Sequence, residues 1–169
     1  MNEPQNRPLT PAEGEANRKN KDHIYDVRVL LTVFTGHLEK RAEEHDASKL
    51  RDPELPIFGE YTKKLADLTY GSGEYQACLK AMKPALDHHY AVNRHHPEHF
   101  ENGVDGMSLV DLVEMFCDWQ AATLRHKDGD LRKSIEINAG RFNLSPQLKS
   151  ILLNTVGLLK TTNQKEKQP

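Results

Sequence analysis

Between residues 24 and 38 the large apolar side chains recur in steps of three and four: Ile24, Val27, Leu31, Phe34 and Leu38. That period puts them on one face of an α-helix, not on the alternating faces of a strand. It returns at Phe58, Tyr61, Leu65 and Leu68, and at Tyr75, Cys78, Leu79, Met82 and Leu86. Between Leu109 and Trp119 it returns again through Leu112, Val113 and Phe116. β-branched alternation is scarce, so the chain reads as an all-α bundle of about six helices. The spacing predicts helices near 21–44, 53–67, 73–93, 109–126, 130–139 and 146–159. Pro53 and Pro146 suit first turns, and Ser108 and Ser145 suit caps. Pro84 should kink the third helix by removing one of its hydrogen bonds. Tyr70-Gly71-Ser72-Gly73 and the segment 101–106 read as turn and loop.

A chain of 169 residues is one domain in length. Residues 1–20 carry Pro4, Pro8 and Pro11 with a single large aliphatic residue, Leu9. They read as a disordered arm, and 161–169 as a second polar tail, leaving 21–160 as the helical domain. The 23 basic residues are offset by 25 acidic ones, which excludes the basic footprint of an extended nucleic-acid binder. Cys78 and Cys117 make neither a disulfide framework nor a zinc ribbon. No signal peptide opens the chain. The longest apolar run, Val29 to Phe34, is far below the ~20 residues that span a bilayer. The expectation is a cytoplasmic protein with no membrane partner.

The unusual count is histidine: nine in all, with His88, His89, His95, His96 and His99 inside twelve residues. Neutral imidazole is the commonest metal ligand, and five rings are hard to satisfy in an apolar core. The plain alternative is a solvated polar helix end, or a surface site that picks up metal adventitiously. His45 and Asp46 form a second candidate. Neighbours on a regular helix point in different directions, so both reach one ion only where the helix ends or a turn begins. Asp111, Glu114 and Asp118 form a third, sharing one helical face opposite Leu112 and Phe116. That face is either solvated or turned toward a ligand. Trp119 sits on the apolar side and reads as core. His23 and His37 are about 21 Å apart along one helix and cannot bind the same centre. His23 is preferred, because 22 residues separate it from His45 and let the chain turn and return. His126 suits a helix C-terminus.

The order His23, His45-Asp46, the histidine cluster, Asp118 resembles the HD superfamily of metal-dependent hydrolases. His45-Asp46-Ala47-Ser48-Lys49 is similar to the His-Asp-x-x-Lys form of the HD-GYP branch. His95-His96-Pro97-Glu98 followed by Gly103 and Gly106 is similar to that branch's paired-histidine loop. The Gly-Tyr-Pro tripeptide is absent, which weighs against a cyclic dinucleotide. The run His88–His99 with Glu114–Trp119 also resembles a family of small bacterial and phage proteins.

The resemblance implies an HD-type helical fold and a ligand set. His23, His45, Asp46 and Asp118 match the ligands of a first metal, with Asp46 placed to bridge to a second. One of His88 and His89, and one of His95 and His96, match the extra histidines of binuclear members. Lys49 matches a lysine that holds phosphate or an activated water. With Arg94 and Arg125 it could neutralise phosphate charge. Such donors suit one or two ions of manganese, iron, cobalt, nickel or zinc. The activity implied is a metal-dependent phosphohydrolase, in which activated water attacks a small phosphate ester, a nucleotide being the expected substrate. The same order fits an HD-type di-iron oxygenase. A non-catalytic helical binding protein with a structural metal site is the third reading.

Overall fold

The computed structural model describes residues 7–66, 68, 72–125 and 128–159. The fold is all-α, with no strand among the described residues. Among the described residues six α-helices follow in order: α1 (Pro11–Glu44), α2 (Glu54–Ala66), α3 (Gly73–Val92), α4 (Leu109–Thr123), α5 (Leu131–Arg141) and α6 (Pro146–Thr155). Short 3₁₀ turns cover Ala47–Leu50, Pro97–His99, Gly103–Gly106 and Val156–Leu159. No helix among the described residues is long and apolar enough to cross a membrane. Tyr70, Gly71, His126 and the 161–169 tail lie outside the described residues.

The chain divides into two units, residues 1–40 and 41–169, and α1 crosses the boundary. In the first unit the helix begins ten residues before the expected start, so the disordered arm of 1–20 is corrected: residues 11–20 are helical. The reason is a capping box. The Thr10 N–H donates to Glu13 Oε2 at 2.8 Å, and the Glu13 N–H donates to Thr10 Oγ1 at 3.3 Å. Arg7 pairs with the same Glu13 carboxylate, and Pro11 starts the helix, where its missing N–H costs nothing. The Thr-x-x-Glu signal stands in the sequence, masked by the prolines around it. No residue of α1 is buried.

The second unit is built in two parts. α2 packs on α3, and α3 buries Cys78, Met82 and Ala85. Ser72 caps α3 by accepting from the Tyr75 N–H at 3.1 Å, and the helix continues through Pro84 to Val92. The other part is α4, α5 and α6, whose core holds Met115, Phe116, Trp119, Leu131, Ile135 and Leu152. Trp119 is core, as its register implies, and lies parallel to Phe142 with ring centres 6.2 Å apart. α4 starts in a full capping box between Ser108 and Asp111, α5 on Asp130 and α6 on Ser145. α4 ends at Thr123, three residues before the expected 126. The two parts bring the end of α3 and the acidic face of α4 to the polar segment that follows α1.

Candidate metal centre

The helical hydrogen bonding of α1 stops at Glu44, and Asp46 adopts a left-handed conformation with φ 56° and ψ 14°. Asp is among the few non-glycine residues that take this region at modest cost. The turn resolves the difficulty that adjacent helical residues diverge: His45 and Asp46 now share one centre. α3 supplies His89 from its last turn, and the turn between α3 and Pro97 supplies His95 and His96. α4 supplies Glu114 and Asp118, one turn apart.

Three groups of donors come together: Asp46, His89, His95 and His96; His45, Asp46 and Asp118; and His45, His95 and Glu114. In each, one ligand atom per residue lies within 4.8 Å of the others. His89 Nε2 is 2.9 Å from His96 Nε2 and 3.3 Å from Asp46 Oδ1. His95 Nε2 is 3.5 Å from Asp46 Oδ1. On the other side of the same carboxylate, His45 Nε2 is 3.5 Å from Asp46 Oδ2 and 3.7 Å from Asp118 Oδ1. Two donors each ~2.0–2.1 Å from one ion, at right-angled to tetrahedral spacing, stand about 2.9–3.4 Å apart. The His89–His96 and His89–Asp46 separations, 2.9 and 3.3 Å, fall in this range. Asp46 Oδ1 and His95 Nε2 are buried and have no hydrogen-bond partner. Buried polar atoms are rarely left so, and both point at the same place.

Carboxylates behind the rings set which nitrogen faces inward. His89 Nδ1 lies 2.9 Å from Glu54 Oε2, and His45 Nδ1 lies 3.0 Å from Glu114 Oε1. An ionised carboxylate only accepts, so both rings carry a proton on Nδ1 and turn Nε2 inward. His95 Nδ1 is also 3.1 Å from Glu114 Oε1, though poorly aligned for a hydrogen bond. Glu54 is fully buried and also receives His88 Nδ1 at 2.7 Å. Asn93 Nδ2 donates to Ser48 Oγ at 2.8 Å and to the His89 carbonyl at 2.9 Å, tying the α3 terminus to the 3₁₀ turn. Glu54→Gln keeps the volume but leaves one acceptor oxygen for two imidazole N–H groups. Metal affinity should fall ~10-fold or more, read by competition with a chromophoric chelator.

The electrostatics differ across the centre, favouring charge on His45 and opposing it on His89 and His96. Hydrogen bonding to Asp118, then to Glu114, raises His45 to about 10. Burial, with His95 and His89 alongside, pushes His96 down to about 3, which keeps it a neutral donor. Burial alone would raise Glu114, but His45, His95 and Arg41 hold it at about 2. Burial opposes ionisation of Asp111 too, and is outweighed by Arg94 and Ser108, which leave it at about 2. Arg94 contacts both Asp111 oxygens, at 3.1 and 3.0 Å. Arg41 pairs with Asp111 and reaches Glu114 at 2.8 Å.

Asp111 and Glu114 stay ionised in the folded chain down to pH about 2 but take up protons near 4 when unfolded. Their contribution to stability is therefore whole above about pH 4.5 and is lost as pH falls toward 2. The urea midpoint should drop between pH 5 and pH 3, and drop less in Asp111→Asn.

Not every expected residue lies at the centre. His45, Asp46, His89, His95, His96 and Asp118 are brought together. Of the pair 88/89, His89 faces in and His88 faces out through Glu54; of 95/96, both face in. His23 is exposed on α1 in the first unit and belongs to none of the three groups. The expected turn between His23 and His45 is absent, because α1 is continuous from Pro11 to Glu44. Lys49 bonds Asp46 Oδ2 at 2.5 Å. Arg94 is engaged by Asp111 and stacks over Phe100, with its side chain 45% exposed. Arg125 is exposed in the turn after α4. The sequence reading missed Glu54 and Arg41. Glu54 follows Pro53 in a first helical turn, where an acid needs no other explanation, and Arg41 looks like any basic residue near a helix end.

No curated protein and no solved structure matches the chain significantly. A family model does, over residues 12–158: Family of unknown function (DUF5662).

Proposed function

We propose that this chain, which belongs to the family of unknown function DUF5662, is a metal-dependent phosphohydrolase acting on a small phosphate ester, a nucleotide for choice. The observation that carries the reading is Asp46, whose two oxygens face two different donor groups, one of them buried without a partner. His89, His95, His96 and Asp46 would hold one ion, and His45, Asp46 and Asp118 a second. Divalent ions bound there would supply Lewis acidity and lower the pKa of water toward neutrality. The rest is done by the chain's own side chains. Glu54 and Glu114 fix the ring orientations. Lys49, partly exposed beside Asp46, binds a phosphoryl oxygen as substrate enters and balances its charge. His45 and Asp118, the more exposed ligands, border the approach. The resemblance to HD-type hydrolases supports the same assignment.

The test is metal analysis of tag-free protein, followed by phosphate release from nucleoside monophosphates after manganese or cobalt reconstitution. Lys49→Ala should raise KM and keep the metal. Bound metal with no phosphate release from any ester would overturn the hydrolase. Four imidazoles beside carboxylates also suit iron, so oxygen uptake seen only with iron would favour an HD-type oxygenase.

A further inference from the structure

Glu114 is shared behind the centre as Asp46 is shared within it. Its Oε1 lies 3.0 Å from His45 Nδ1 and 3.1 Å from His95 Nδ1. His45 and His95 belong to the two different donor groups that meet at Asp46, so one oxygen faces a ring from each. The other oxygen, Oε2, accepts from Arg41 Nη1 at 2.8 Å. Arg41 is fixed in turn. Its Nη2 pairs with Asp111, which is fully buried and is also held by Arg94 and by the Ser108 N–H. A guanidinium only donates, through a rigid fork. Whatever part of residue 114 faces Arg41 therefore has to be an acceptor.

We propose that Arg41 is a positioning residue for both ion positions: it holds Glu114 by Oε2, so that Oε1 keeps His45 and His95 turned with Nε2 toward the metal. The proposal rests on the metal-centre reading above and assigns Arg41 a part in it, exerted through Glu114. The geometry gives it a test by rescue. In Glu114→Gln the amide has one oxygen and one NH₂. Arg41 takes the oxygen, since the NH₂ would set donor against donor. The NH₂ then faces Nδ1 of both rings, which can meet it only as acceptors. That moves each ring proton to Nε2, the nitrogen the metal needs free. Removing Arg41 as well lets the amide turn over and offer its oxygen to the rings.

The test is zinc titration of the full chain against a chromophoric chelator. Glu114→Gln should bind zinc ~10–100-fold more weakly than the native chain. Adding Arg41→Met to it should recover much of that loss, and adding Arg41→Lys, which keeps a donor, should not. Two independent losses of structure would add instead, leaving the double variant weakest. Ring-nitrogen NMR at saturating zinc separates orientation from charge. In Glu114→Gln, His45 and His95 should leave the metal while His89, held by Glu54, stays. A change of charge alone would weaken all the rings together. This signature needs no Arg41 variant to fold, and circular dichroism checks each chain. Glu114→Gln protein that keeps His95 on zinc overturns the proposal, as does a folded Arg41→Met double variant no tighter than Glu114→Gln. A native chain that takes up no zinc overturns the metal reading, and this proposal with it.

Discussion

Asp46→Asn is expected to abolish metal retention while the fold persists. Asparagine enters the left-handed region as readily as aspartate, so the φ of 56° and the turn out of α1 remain. What goes is one full negative charge from the carboxylate that faces both donor groups, together with its bond to Lys49. An amide oxygen is a poor substitute for a carboxylate toward transition ions. The loss falls on two groups at once, so affinity should drop by more than the ~10–100-fold typical of an outer-shell change. Elemental analysis and metal titration read the effect, with circular dichroism as the control for folding. Asp46→Asn protein that retains its full metal complement would remove Asp46 from the centre.

The second large effect is on stability. Trp119→Ala removes the biggest side chain of the α4–α5–α6 core, 8% exposed and stacked on Phe142. Large aromatic-to-alanine changes in cores cost about 3–5 kcal/mol, from lost transfer energy and the cavity left behind. In a chain of this length that corresponds to a melting point lower by ~10 °C. Thermal circular dichroism checks it. A shift under about 2 °C would mean that the core closes over the gap or that Trp119 carries little of it.

The helices were readable because each has a period and most have a cap. Leu112, Phe116 and Trp119 repeat at helical spacing, and Ser108, Asp130 and Ser145 stand where α4, α5 and α6 begin. Local side-chain chemistry decides these features. The early start of α1 was readable too, in Thr10-x-x-Glu13, but the surrounding prolines pointed the other way. Most of the donors that the fold gathers were legible in the same manner, because histidines clustered along the chain have few other uses. The acidic face of α4 was harder. Periodicity places Asp111, Glu114 and Asp118 together, yet cannot tell solvent from a neighbouring imidazole. Only the fold separates them: Asp111 holds two arginines, Glu114 aligns His45, and Asp118 faces the centre. Glu54 was out of reach, because its role depends on α2 packing beside α3, which no spacing announces. α1 shows the converse limit. The period reveals the helix, and does not say whether its apolar face is covered.

The unequal exposure of the donors bears on exchange more than on affinity. His89 and His95 are 3 and 1% exposed, whereas His45 and Asp118 are 29 and 28% exposed. A cluster closed on one side and open on the other has a preferred order of loading. On the proposed two-ion reading, the His45–Asp118 side would release and recapture its ion by swinging two accessible side chains, whereas the buried His89 and His95 would part with theirs only if α3 and its following turn loosened. The inner position would then be the kinetically locked one, and the outer position the one that follows the metal supply.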